Sequence, residues 1–499
     1  MLTASTKQST LQPLGRFDAL LIGFILLLLM GGVIFLFGSD SLSGATQVAM
    51  MMIGFLSALI GMKNGISWRQ IEQSIINALS KTAGPILIFL AVGALIGSLM
   101  LSGAVPTLLY YGLHILSPRY FYALACVICA LVAICIGSSW TTAATVGVAL
   151  LGVSIGFSLS PEVTAGAVVS GAYFGDKMSP LSETTNLAPS IAGSELFSHI
   201  RHMAWVSFPS FVLTLALFFI IGLNATNKIN SEEGITAFLL AIDGHFSISW
   251  TNLLPVALLL FLAVKKVPAF LAIMGVTIIA CVFTLIFQNE ALRTFAIHDS
   301  SSHASQIAKA FWQLLYGGYQ VDTSNDSVNN LLSRGGMSGM MPMVWLVIAS
   351  MMMAGVLERV GFIEILLSKM LGFVKSTGSL IATTMATCFG VNVLTGDQYM
   401  SIVLPGQMWK HEFERRNLDT LNLSRTLEDA GTLLSPLIPW NACGVFMAGT
   451  LAVSTIAYLP YCFFNLINPV VALLFAFLNI KILRVKPSEI DNSVPAHTS

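Results

Sequence analysis

Charge is what this sequence has least of. Asp, Glu, Lys and Arg make up 10% of the 499 residues, against about a quarter in soluble domains. Apolar residues reach 55% and mean hydropathy is +0.81, so the composition is that of a polytopic membrane protein. The 24 basic residues are matched by 24 acidic ones and form no basic tract, which argues against nucleic acid as a partner. Cysteine is sparse as well: seven residues lie in apolar segments rather than at regular loop spacings, so no disulfide framework is implied. Cys126 and Cys129 form a CxxC with neither a second pair nor a neighbouring His, and they read as core packing rather than a metal site. The HExxH motif of metallohydrolases is missing too. Gly175-Asp176 and Gly396-Asp397 superficially resemble the paired aspartates of membrane proteases, but Tyr173 and Leu394 stand where GxGD needs glycine. No enzyme activity and no cofactor are expected.

What is there is a series of long apolar runs. The first, Phe17 to Phe37, is too long for an ordinary signal-peptide core and reads as a retained first helix. Further spans are expected at Ala45–Met62, Pro85–Leu101, Val163–Ile191 (broken), Met203–Leu223, Thr251–Val264, Pro268–Phe287, Pro342–Leu357, Leu427–Ala457 (broken) and Leu459–Ile482, ten crossings with the first. Thr251–Val264 is short and is expected to begin upstream, within His245–Trp250. Tyr120–Phe157 and Leu380–Met408 turn polar in the middle and are either re-entrant hairpins or pairs of crossings; both readings add an even number. Lys63, Arg69, Lys81, Arg201, Lys265, Lys266, Lys369, Lys375, the Lys410–Arg425 loop, Lys481 and Arg484 then fall on one side, with Arg119 an exception. Positive charge marks the cytoplasmic side, so both termini are expected there, in a multi-pass protein of the cell membrane. The other side receives Gly38–Gly44, Asn224–Gly234 and the long Gln288–Met341 segment.

One stretch breaks the apolar pattern: GAYFGDKMSPLSETTNLA, Gly171 to Ala188. A carboxylate is expensive in hydrocarbon, so Asp176, Lys177 and Glu183 are functional candidates by default. Pro180 removes a backbone donor and Gly175 loosens the chain before it, which predicts a helix broken into two halves. Broken helices at the membrane midplane, with carbonyls and dipole ends facing a cavity, are how secondary transporters hold ions and small substrates. Together with GSSWTT at Gly137–Thr142 and LLSPLIPWN at Leu433–Asn441, this run resembles the NhaC family of sodium/proton antiporters over nearly the whole chain. The resemblance implies exchange of cytoplasmic Na+ for external H+. Sequences similar to that family also exchange organic anions such as malate and lactate, so an anion or amino acid exchanger is the alternative.

The chain also repeats itself. From Pro85 it runs a helix, an amphipathic piece (Val105–Leu116), a polar tip at Gly137 and a break at Ser179–Leu181. From Pro342 it runs a helix, an amphipathic piece (Ile363–Phe373), a tip at Gly390 and the same SPL word at Ser435–Leu437. Pro85 to Pro180 is 95 positions and Pro342 to Pro436 is 94. With five crossings between the repeat starts, the units are expected to be inverted, which predicts that both breaks and both tips converge. The fold class expected is therefore an all-α inverted-repeat transporter: scaffold helices in 1–84, one repeat in 85–192 (tip 137–142, broken helix 163–191), connecting helices and the outer segment in 193–341, a second repeat in 342–457 (tip 390–397, broken helix 427–457), and a last helix and tail in 458–499. The outer segment, with an amphipathic piece at Ile307–Tyr316, reads as structural cover or a homo-oligomer contact. The tail after Arg484 reads as disordered.

Na+ is a small hard cation that takes oxygen ligands. Tip one offers Ser138, Ser139, Thr141 and Thr142; break one offers Asp176, Ser179, Ser182, Glu183, Thr184, Thr185 and Asn186. Tip two offers Asn392, Thr395 and Asp397, and break two offers Glu428, Asp429, Ser435 and Asn441. Na+ candidates are Asp176, Asn186, Asn392 and Asn441. Burial disfavours the charged form of a carboxylate and a bound cation restores it, so one Asp holds a proton or Na+ but not both. Asp176 is the first choice for that exchange, then Asp397 as its counterpart beside tip two, then Glu183. Lys177 reads as an internal cation that pairs an acid when Na+ is absent. Asp176 is not its expected partner, because adjacent helix positions do not face each other. His199 and His202 read as a solvated turn rather than a pH sensor, and Trp140 and Trp440 as interhelical packing. The partners expected are Na+, H+ and the lipid bilayer.

Overall fold

A computed structural model describes residues 14–225, 232–296, 302–321, 329 and 332–485. The tail read as disordered lies outside the described residues from 486 onward, as do parts of the Asn224–Gly234 and Gln288–Met341 segments. Hydrocarbon offers backbone groups no partner, so the chain satisfies them within helices. Among the described residues the regular structure is helical apart from one isolated bridge between Leu418 and Arg484.

Nine helices among the described residues are long and apolar enough to cross a membrane, or ten if Ala442–Leu451 and Thr455–Tyr461, which meet at 90°, count as one. The stretches read either as re-entrant hairpins or as paired crossings are helix pairs, Phe121–Ile136 with Ser139–Gly156 and Thr377–Thr395 with Met400–Arg415. Some boundaries differ from expectation. The second broken helix begins at Thr420 rather than Leu427, because Asp419 caps it and its polar residues Asn422, Ser424 and Arg425 are buried between helices. Its second half stops at Leu451 rather than Ala457, where Ala452 takes a left-handed conformation (φ 52°) and Ser454 caps a new turn. The last helix is Phe463–Phe477, shorter than Leu459–Ile482, since Leu459–Tyr461 forms a separate 3-10 turn containing Pro460. The helix expected at Met203–Leu223 is the 30-residue Leu196–Ala225. Ser249 caps the Trp250–Leu253 turn that leads into Leu254–Val264, so this short helix starts at the end of the expected stretch.

The order of elements repeats. A 19-residue helix (Ala83–Leu101, then Met341–Arg359) is followed by a short amphipathic helix (Ala104–Ile115, then Phe362–Met370). A helix pair comes next, and then a broken helix: Pro161–Met178 with Glu183–Ala192, and Thr420–Leu427 with Ala442–Leu451. In the second unit the first half continues through a π-helical turn, Glu428–Thr432, before the 3-10 turn Ser435–Leu437.

Glycine sets the fit of the first unit. A Cβ at Gly171 would lie 2.1 Å from the Cys126 carbonyl oxygen, and one at Gly175 would lie 2.3 Å from that of Ala130. Broken helix one therefore packs backbone to backbone on hairpin one, as small residues allow, and carries Asp176 to the hairpin tip. Cys126 and Cys129 are free and fully buried, as packing residues.

Candidate functional site

Each polar island is a place where one helix ends and another begins, and its side chains first answer to that geometry. At tip one Gly137 turns the chain with φ 74°, and Ser138 accepts from the Thr141 N–H at 3.2 Å. Thr141 also donates its hydroxyl to Ser138, and Thr142 donates to the Ser138 carbonyl at 2.9 Å. At break one Ser179 donates to the Ile134 carbonyl at 2.7 Å, tying the break to hairpin one, and Ser182 caps the Thr185 N–H while meeting the Thr184 hydroxyl. The Thr185 hydroxyl reaches back to the carbonyls of Asp176 and Lys177 at 3.2 and 3.1 Å. Asn186 is exposed and donates to the carbonyls of Pro180 and Ser182.

In the second unit Gly396 turns the tip with φ 63°, and its carbonyl accepts from the Ala442 N–H across the break at 2.9 Å. Asp397 is half-buried and caps the next helix, accepting from the Tyr399 N–H at 2.7 Å. Thr395 donates to the Val391 carbonyl. Asn392 donates to the Gly431 carbonyl at 2.7 Å and accepts from Asn441 at 2.9 Å, while Asn441 also caps Cys443. Ser435 donates to Gln398 and to the Thr432 carbonyl.

The two units meet through side chains. Tyr399 of tip two donates its hydroxyl to Glu183 of break one. Trp140 of tip one stacks on Phe446 beyond break two, with ring centroids 4.3 Å apart and planes at 13°. Trp440 donates its indole N–H to the Val393 carbonyl, so both tryptophans serve packing. Tyr173 on broken helix one faces Ser435 and Cys443 of break two.

The ionisable residues divide into two groups. Asp176 is 6% exposed and its Oδ2 accepts both the N–H (3.2 Å) and the hydroxyl (2.7 Å) of Ser139, with Ser182 facing the same carboxyl. Lys177, fully buried, pairs with Asp429. The acid it needed thus comes from the other unit, as the geometry of adjacent helix positions requires. Asp429 also accepts from Asn468 at 2.7 Å, and Arg425 lies 3.9 Å from its other oxygen. Glu428, one residue earlier, is fully buried and neither of its carboxylate oxygens has a hydrogen-bond partner in the protein.

His199 and His202 are buried rather than solvated. The long helix starts at Leu196, which places both inside it, and His199 Nδ1 lies 2.8 Å from the Ser424 hydroxyl on broken helix two. Arg425, Tyr173, Gln398, Asn465 and Asn468 stand among the site residues, although they were not candidates for coupling or binding, and Glu428 was offered only as one of the oxygens of break two. Three ionisable residues within Arg425–Asp429 were the signal for Arg425. The amides and the tyrosine carry no spacing that sets them apart from ordinary packing.

A chain that is helical with nine candidate spans among its described residues, and that carries two broken helices with buried charge at the breaks, is a polytopic membrane transporter. The sequence profile of the Na+/H+ antiporter family matches residues 171–480. The chain is 39% identical over 463 residues to the Na+/H+ antiporter NhaC of Alkalihalophilus pseudofirmus, covering 92% of this chain and 96% of that one. It is 36% identical to NhaC of Bacillus subtilis, over 83% of this chain and 88% of that one. A malate-2H+/Na+-lactate antiporter of Bacillus subtilis is 30% identical over 86% of this chain and 89% of its own length. The chain belongs to the NhaC family of Na+/H+ antiporters.

Proposed function

We propose that the chain exchanges cytoplasmic Na+ for external H+ by alternating access, with Asp176 as the group for which the two compete. The observation that carries this reading is the position of Asp176: a buried carboxylate at the last turn of a half-helix, solvated by hydroxyl and N–H donors of tip one rather than by a fixed cation. A neutral setting of this kind accepts either a proton or Na+, whereas the Lys177 ammonium at Asp429 occupies that carboxylate already. Of the other Na+ candidates, Asn392 and Asn441 use amide oxygens on each other and on Cys443, and Asn186 is exposed. They serve the site by fixing the breaks. Asp397 and Glu183 bound it as helix cap and inter-unit contact.

Residues 85–192 and 342–457 act in this reading as two inverted units that rock about the shared breaks, with both termini cytoplasmic. The matching element order and the contacts between units support it. An organic anion exchanger is the second reading, favoured by the malate and lactate relative. Half-helix N-termini would receive a carboxylate, but Ser138, Ser182, Asp397 and Asn441 already cap the four that open at the islands. That favours the inorganic cation. Everted vesicles preloaded with a pH gradient and given Na+, Li+, K+ and malate in turn test the reading. Dequenching by Na+ is expected, and a response to malate alone would replace it with the second.

A further inference from the structure

Trp140 and Tyr399 hold equivalent places in the two units. Each follows a left-handed glycine, a residue that caps the next helix, and one more polar residue: Gly137-Ser138-Ser139-Trp140 at tip one, Gly396-Asp397-Gln398-Tyr399 at tip two. Each also reaches across to the helix that opens after the other unit's break. Trp140 stacks on Phe446 of Ala442–Leu451, whereas Tyr399 donates its hydroxyl to Glu183 of Glu183–Ala192. The two crossings differ in what surrounds them.

Around Trp140 the protein is closed. Phe89 lies 6.0 Å from the Trp140 ring and 5.6 Å from that of Phe446, and no residue of Ser139–Gly156 or Ala442–Leu451 is exposed. Around Tyr399 it is open. Glu183, Asn186, Ser190 and Gly193 are exposed along one face of their helix, while Thr184, Thr185, Ala188 and Ala192 are buried on the other. Tyr399, Gln407 and Glu414 are exposed at the spacing of one stripe on Met400–Arg415. A Cβ at Gly406 would lie 2.5 Å from Ile191 Cγ2, so the two helices touch, and their exposed faces meet at the Tyr399–Glu183 bond. A carboxylate and amides exposed at membrane depth face water rather than hydrocarbon. The helix Ala83–Leu101 is one-sided in the same way: it is exposed at Ala83, Gly84 and Leu87 and buried from Ala91 to Leu101, with Phe89 between.

Asp176 lies between the two crossings. Ser139, which donates to its carboxylate, immediately precedes Trp140, and Ser182, which faces the same carboxyl, immediately precedes Glu183. We infer that this structure is open to one side only: Na+ reaches Asp176 through a water-filled entry lined by Glu183, Asn186, Ser190, Tyr399 and Gln407, and the Trp140–Phe446–Phe89 stack is the closed barrier on the other side. The entry opens toward the Lys410–Arg425 loop, where Lys410 donates to the Ile191 carbonyl at 3.4 Å. The inference rests on the alternating-access reading above and adds the residues that form its two sides.

Single cysteines in a chain with Cys135 and Cys281 changed to serine test it, labelled by a membrane-impermeant methanethiosulfonate applied to either face of sealed vesicles. Glu414→Cys and Glu290→Cys, both at exposed positions, mark the two faces. Without a Na+ gradient, Ser190→Cys and Gln407→Cys are expected to react from the Glu414 face. Val445→Cys, four residues after the Asn441 cap as Asn186 is four after Ser182, is expected to react from neither. Trp140→Ala is expected to raise labelling of Val445→Cys from the Glu290 face roughly tenfold, and Phe446→Ala serves if that variant does not fold. Entry cysteines that react from neither face overturn the entry, placing that surface against lipid or a second chain, and reaction from the Glu290 face overturns its direction. Rapid labelling of Val445→Cys in the chain that keeps Trp140, or no increase when the stack is removed, overturns the barrier. If both entry cysteines label as expected while Asp176→Asn keeps exchange, the entry stands and the reading of Asp176 fails.

Discussion

Asp176 and Asp429 are both buried carboxylates on broken helices, yet hydrogen-bond donors of tip one surround the first and a lysine, an arginine and an amide surround the second. The difference predicts different responses to neutralisation. Asp176→Asn removes a charge that nothing fixed balances, and an amide costs less to bury than a carboxylate, so the fold should survive and coupled exchange should be lost. Asp176→Glu moves the charge by one methylene and should weaken apparent Na+ affinity and shift the pH profile. Vesicle exchange assays on variants matched for expression check both, and normal affinity in Asp176→Asn would make the acid structural. At Asp429 the outcome reverses. Lys177→Met or Asp429→Leu alone leaves an uncompensated buried charge and should destabilise by about 3–5 kcal/mol. The double variant should recover part of that, since Arg425 stays buried without its carboxylate. Thermal unfolding in detergent reads the cycle, and additive losses would show that the pair is not coupled.

At the scale of elements, close backbone approach joins side-chain hydrogen bonds in holding the hairpin tips to the breaks. Gly137 has φ 74°, and a Cβ there would lie 2.6 Å from both the Leu181 carbonyl carbon and its Cβ. Gly137→Ala therefore meets a left-handed backbone and a clash together, and should cost about 1–3 kcal/mol and lower transport by pushing tip one off break one. Gly31→Ala, where nothing lies within 4 Å of the added carbon, should stay within about 1 kcal/mol of wild type. Comparing melting temperatures and exchange rates of the two separates site geometry from general helix effects. These elements were largely legible in the sequence, because Pro180 and Pro436 announce breaks and the polar tips interrupt apolar runs. Boundaries were less so. Thr420–Arg425 reads as a solvated loop because hydropathy cannot distinguish polar residues facing water from polar residues facing a protein interior, and the same blindness made His199 and His202 a solvated turn. The Lys177–Asp429 pair joins positions 252 apart, and no local pattern encodes such a partner.

At the scale of the molecule, the repeated order of helices gives two units that meet at their breaks, and one exposed contact bridges them: the Tyr399 hydroxyl of tip two on the Glu183 carboxylate of break one. If the units rock against each other during transport, this contact must open and close in each cycle, while the buried Lys177–Asp429 pair lies deeper at the same junction. Replacing Glu183 and Tyr399 together by cysteine, in a chain whose accessible Cys135 and Cys281 are changed to serine, places two thiols at the bridge. Copper phenanthroline should join them and stop exchange, and reductant should restore it. The single-cysteine chains should lose no activity under oxidant, which separates a mechanical lock from chemical damage. A cross-linked chain that still moves Na+ at the rate of the reduced one would mean that tip two and break one travel as a single body, and the moving boundary would then lie elsewhere in the bundle.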